Sequence, residues 1–161
     1  MHVRTVTVLS LSISLAFSLS ACATGKDAPT KLVTQVTDGV DGSITTYGND
    51  LKISSVLLVT QSDGSAVLVG TITNENPTED TLLGITVGGI KATLSHMSLP
   101  LKQNEPVRFA GDTANASATV LGLNATPGTR VSVQLSFASA GVLTLDTIIR
   151  ERSGIYANVG V

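Results

Sequence analysis

The sequence predicts an all-β protein, an antiparallel β-sandwich or barrel. Three observations predict it. Val, Leu, Ile and Thr dominate after the first 21 residues, and these side chains suit a pleated, half-buried surface. Seven to nine short runs alternate apolar with polar residues, with turn chemistry every eight to twelve residues. No helical period survives for more than about one turn.

The elements follow in chain order. Leu32 to Thr37 alternates weakly and reads as a first strand, and Asp38 to Ser43 reads as a turn because Asp and Gly recur in it. Leu51 to Gln61 alternates through Leu51, Ile53, Ser55, Leu57 and Val59, and Asp63-Gly64 makes the bend of a hairpin returning through Ala66 to Asn74. A polar loop carries the chain to a strand over Thr81 to Val87. Gly88-Gly89 then turns it into a strand over Ile90 to Ser95 that runs toward His96. Pro100 and Pro106 mark Leu99 to Glu105 as an edge or a connection. Val107 to Ala110 and Ser117 to Leu123 are further short strands. Arg130 to Phe137 alternates through Val131, Val133, Leu135 and Phe137. It forms a hairpin with Val142 to Arg150 around Ala138 to Gly141. Residues 151–161 show no period and read as an exposed or loosely attached tail.

The N-terminal residues belong to targeting. Met1 to Arg4 supply a short positive start, an apolar run follows to Leu19, and Leu19-Ser20-Ala21-Cys22 ends it with small residues and the sole cysteine of the chain. That layout is a secretory signal, and its Leu-Ser-Ala-Cys end resembles a bacterial lipobox, which implies that Cys22 is acylated and becomes residue one of the mature protein. The alternative is an ordinary signal cut nearby or a simple membrane anchor. The expected organisation is a signal over 1–21, a tether with a possible first strand over 22–48, a β-sandwich over 49–150 and a tail over 151–161. The expected location is the extracytoplasmic face of the cell membrane, with the lipid on Cys22 as the membrane partner.

Charge and composition exclude other classes. Losing Arg4 takes the basic count from 10 to nine against 12 acidic residues, a net charge of about −3. No basic patch appears, so nucleic acid is not an expected partner. No cysteine pair exists to form a disulfide or a thiolate cluster. Tyr47, Phe109, Phe137 and Tyr156 are the only aromatic residues beyond the signal, too few for a base- or sugar-stacking platform. Asp63, Glu75, Glu79 and Asp80 lack the spacing of a calcium loop and read as solvated loop charge. Beyond the signal His96 is the one histidine and Met97 the one methionine. No Gly-x-Ser-x-Gly elbow accompanies them, so no catalytic residues are assigned and an enzyme is not expected.

Several stretches together resemble a known family. They are Ala66 to Asn74, Asp80 to Val87, Leu121-Gly122-Leu123 and Val131 to Gly141. The chain is similar there to the PCuAC copper chaperones, and within them to the actinobacterial LpqE-like lipoproteins. The resemblance implies a cupredoxin-like sandwich. It also implies a Cu(I) site built from a His, a spaced Met and a His-x-Met pair just before the Leu-Gly-Leu stretch. Soft thioether and imidazole donors suit that ion. Here the corresponding stretch, Asn115 to Val120, contains neither His nor Met. His96 and Met97 are the metal-ligand candidates that remain. Being adjacent, they would point to opposite faces of a strand. The expectation is a binding or interaction module without a resident cofactor. The alternative is a copper chaperone with a weak site or one shared with another chain; no protein partner can be read from the sequence.

Overall fold

The structure is a computed structural model and describes residues 38–160. Cys22, the signal, the tether and the strand expected over Leu32 to Thr37 lie outside the described residues.

Two layers of strands face each other. In the first, β4 (Asp80–Val87) pairs with β10 (Arg130–Phe137), which pairs with β11 (Val142–Arg150). Two short strands, β5 (Ile90–Lys91) and β7 (Leu99–Leu101), lie end to end along the outer edge of β4. In the second layer, β1 (Val40–Ile44) pairs with β2 (Leu51–Thr60) and β2 with β3 (Ala66–Asn74). The outer edge of β3 carries β8 (Val107–Arg108) and β9 (Ala118–Val120), and β9 carries β6 (Thr93–Leu94). The layers join where Ile149 and Arg150 pair in parallel with Leu58 and Val59. All other strand pairings are antiparallel. The fold is a cupredoxin/immunoglobulin-like sandwich; the alternation predicts strands packed as a sandwich or barrel, and the resemblance implies the cupredoxin-like form.

The long strands form because one side chain in two is apolar and has a layer to bury against. Val133, Leu135 and Phe137 of β10 meet Leu145 and Ile149 of β11 in the same core as Leu51, Ile53, Leu68 and Ile72 of the other layer. Thr147 is the one hydroxyl buried in that row; it donates to the carbonyl of Val56 and so is satisfied.

Three expectations are corrected. The alternation in β2 does not run unbroken. The register with β3 slips between Ser54 and Leu57, and Ser55 takes a left-handed backbone with φ of 56°. This bulge adds one residue, so the core series passes from Leu51 and Ile53 to Val56 and Leu58, and Ser55 leaves it.

The stretch from Asp38 to Ser43 is not simply a turn, because Val40–Ile44 pairs with β2. Asp41 uses its carboxylate to accept from the Ser55 N–H at 2.7 Å, tying β1 to the bulge. Gly39 lies so close that a Cβ there would stand 2.3 Å from the Ser55 carbonyl carbon. Gly39→Ala is therefore expected to force β1 away from the bulge and cost about 1–3 kcal/mol. A lowered urea midpoint at unchanged slope reads this, and an unchanged midpoint refutes it.

The strand expected over Ile90 to Ser95 is two strands. Ile90–Lys91 stays with β4, the chain passes inward through buried Ala92, and Thr93–Leu94 joins β9 in the other layer. This crossing carries the following residues from one layer to the other.

Candidate functional site

The crossing at Ala92 brings His96 and Met97 beside the segment before β9. The Ser95 N–H donates to the Ser117 carbonyl at 2.9 Å, and the Ser117 N–H donates to Ser95 Oγ at 3.2 Å. Ser95 Oγ in turn lies 3.1 Å from His96 Nδ1. The two candidates sit in an exposed bend between β6 and β7, not on a strand. Met97 is 99% exposed, so its thioether has no protein cover.

A shallow hollow of about 360 Å³ adjoins the bend, lined by Leu83, Lys91, Leu94, Ser95, His96 and Met97. The Lys91 ammonium in its wall opposes a second cation. The apolar wall comes from Leu83, which is 51% exposed because the β4–β10 register shifts beside it. Across the hydrogen-bonded seam, the stretch Asn115 to Val120, where the resemblance implies a His-x-Met pair, offers neither histidine nor methionine. Among the described residues no group of three or more His, Cys, Asp or Glu side chains converges on a point.

Two further concavities are lined in part by the tail. A groove of about 930 Å³ runs between the β2–β3 turn, the β8–β9 loop and the tail, with Asp63, Asp112 and Arg152 as its charged groups. A smaller one of about 500 Å³ includes Asp38, Arg150 and Tyr156. There Arg150 Nη2 lies 2.7 Å from Asp38 Oδ1, and Tyr156 donates its O–H to Asp38 Oδ2 at 3.1 Å. Partial burial, and then the hydrogen bond to that carboxylate, push the Tyr156 phenol above its ordinary range. The tail, mostly exposed, is attached at two points, because Gln61 Nε2 also donates to the Val159 carbonyl at 3.4 Å.

The loop carboxylates separate into distinct roles. Asp63 accepts from the Ser65 hydroxyl at 2.6 Å and the Ser65 N–H at 2.9 Å, which hold its carboxyl below the ordinary range. Glu75 pairs with Lys52 on the surface. Asp80 corrects the reading of solvated charge, because it is only 5% exposed. Its Oδ1 accepts from the N–H groups of Thr81 and Ser139 at 2.7 and 2.9 Å, and its Oδ2 from that of Ala140 at 3.0 Å. It closes the β10–β11 turn against β4 and does not face a ligand. Asn74, also missed, is 1% exposed and donates to the carbonyls of Thr78 and Leu101 at 2.9 and 2.8 Å. Its only sequence signal is an amide at a strand end followed by Asn76 and Pro77, a string of side-chain-capped turns.

Fold and site together define a cupredoxin-like β-sandwich with an exposed His-Met bend in the connection from β6 in one layer to β7 in the other. Among solved structures the chain is similar to PCuAC domains. An apo PCuAC domain from PmoF1 superposes with a TM-score of 0.58 at 19% identity, over 70% of this chain and 99% of that one. A copper-bound PCuAC domain from PmoF2 gives 0.58 at 16% identity, over 70% of this chain and 98% of that one. The apo PmoF2 PCuAC domain gives 0.52 at 18% identity, over 65% and 92%. No family model and no curated protein matches the chain. The likeness is one of fold.

Proposed function

We propose that this chain is a lipid-anchored, extracytoplasmic lipoprotein of the PCuAC type, close to the LpqE-like branch, and that it works as a binding module without a tight copper site of its own. The supporting observation is the seam between the His96 bend and β9. It joins the two segments that would assemble a Cu(I) site, yet supplies one imidazole and one fully exposed thioether, with Lys91 alongside. Cu(I) held tightly by such donors needs about three or four of them. The signal-like start and Leu19-Ser20-Ala21-Cys22 support the anchor.

The exposure of Met97 favours one second reading, in which the bend lends its two donors to copper held partly by another molecule. Competition for Cu(I) against a chromogenic chelator separates these. The chain from residue 22 onward is used, with Cys22→Ser to remove the thiol. The expected result is no withdrawal of Cu(I) from the chelator by the isolated chain. Tight one-to-one binding abolished by His96→Ala with Met97→Ala would overturn the leading reading. In cells, Cys22→Ser is expected to move the protein out of the membrane fraction; unchanged membrane association would remove the anchor from the proposal.

A further inference from the structure

One end of the sandwich gathers three things: the point where the chain enters, the C-terminal tail, and two bare aliphatic side chains. The chain enters at Asp38, which Arg150 and Tyr156 hold as described. The tail from Glu151 reaches this end through a single 3-10 turn, Gly154–Tyr156, and then passes along the β2–β3 turn. It passes so closely at Gly160, where φ is +79°, that a Cβ would stand 2.9 Å from Val67 Cγ2. The loop after β9 closes on the same turn, because Val120 pairs with Ala66 and the Asn124 N–H donates to the Gly64 carbonyl at 3.0 Å.

Each of the two converging segments presents one aliphatic side chain to solvent. Ile155, in the 3-10 turn, is 86% exposed, and Leu121, directly after β9, is 64% exposed. Ile155 is not the loose end of a free tail, since its neighbour Tyr156 is fastened to Asp38. Beside it, Arg152 donates Nε–H to the Ala157 carbonyl at 3.0 Å and has no ion-pair partner among the described carboxylates. The nearby acids are largely engaged within the fold: Asp38 by Arg150 and Tyr156, and Asp63 by Ser65. Glu151 remains as an exposed acid at this end, and exposed Asp112 lines the same groove as Arg152.

We propose that this end is a membrane-contact surface, with Ile155 and Leu121 entering the headgroup boundary of a lipid bilayer and Arg152 meeting lipid phosphate. The inference rests on the anchored reading above. It commits to lipid because of where the chain outside the described residues ends. Fifteen residues separate the acyl-bearing Cys22 from Asp38. The 16 steps from Cys22 to Asp38 can span at most about 58 Å even fully extended. The anchor therefore keeps this end near the bilayer at an effective concentration on the order of millimolar. A weak contact of two aliphatic side chains and one cation suffices at that concentration, although it would not recruit a free protein. The opposite end, at the β1–β2 loop, carries Asp50, the Lys52–Glu75 pair and Glu79 around Tyr47. A domain seated this way leaves that end turned toward solvent.

The test uses the full acylated chain reconstituted in phosphatidylcholine and phosphatidylglycerol vesicles with brominated acyl chains. A polarity-sensitive fluorophore is placed by Ile155→Cys, Leu121→Cys or Tyr47→Cys in separate samples, and each sample is first floated on a density gradient. The expected result is flotation of all three, with blue-shifted and bromolipid-quenched emission at 155 and 121 and solvent-like emission at 47. Flotation with solvent-like emission at 155 and 121, or with equal quenching at 47, overturns the contact surface and leaves the anchor standing. Failure to float overturns the anchor, and the contact surface with it.

Discussion

Replacing Leu135 by Asp is expected to leave no cooperatively folded domain at neutral pH. Leu135 is 1% exposed and lies at the centre of β10, between Ile85 of β4 and Leu143 of β11 in the register. No cationic side chain belongs to the core cluster around it. The carboxylate would lose its water without gaining a partner, and the leucine contacts would vanish as well. The combined cost exceeds about 4 kcal/mol, against a total stability of about 5–15 kcal/mol for a domain of this size. Leu135→Ala is the graded control, with an expected loss of about 2–5 kcal/mol. Near-ultraviolet and far-ultraviolet circular dichroism of both variants, with denaturant titration of the alanine form, reads the outcome. A Leu135→Asp protein with a normal unfolding transition would mean that the side chain can reach solvent and that β10 does not bury this face.

The same strand shows why so much of the fold is legible. In β10 the period of two is intact from end to end and each inward residue has a partner layer, so apolar alternation and burial coincide; β11 keeps the same period of burial with Thr147 as its one polar inward residue. The alternation in β2 misleads after Ile53 because a bulge is a backbone event. Ser55 adopts a positive φ there, with Asp41 of β1 bonded to its N–H and Gly39, just before β1, close against its carbonyl. Those same two residues make β1 read as a turn, since Asp and Gly are turn formers by local chemistry. A distant partner turns them to another use. The split of the strand over Ile90 to Ser95 depends on which layer each half joins, and that choice belongs to β4 and β9, not to the local sequence. At the site, the sequence names His96 and Met97 because they are unique beyond the signal. It cannot place them beside Ser117, because that contact spans 22 positions through the hydroxyl of Ser95. The resemblance to PCuAC domains, carried by strands, corresponds to the fold found.

Asp80 illustrates how a buried charge hides in a sequence as a loop residue, and its replacement has the second large expected effect. One carboxylate satisfies three backbone N–H groups, two of which, at Ser139 and Ala140, lie about 60 positions away in the β10–β11 turn. Hydrogen bonds to an ionised acceptor contribute roughly 1.5–3 kcal/mol each, and a buried donor left unpaired costs roughly 1–3 kcal/mol. Water can enter part of the vacated site in Asp80→Ala, so the expected loss is about 3 kcal/mol, below the sum of the separate bonds. Asp80→Asn is expected to recover little. Its amide nitrogen would face an N–H donor at one of the two oxygen positions, setting donor against donor. The effect has a location as well as a size. Native-state hydrogen exchange should accelerate most at Ser139 and Ala140, while amides in the β2–β3 pairing follow only the global loss. A uniform acceleration, or a loss below about 1 kcal/mol, would show that the turn holds its shape through the β10–β11 ladder alone. A localised acceleration would instead make Asp80 the staple that fixes the hairpin to β4, and so fixes the layer against which the chain crosses at Ala92 to present His96 and Met97.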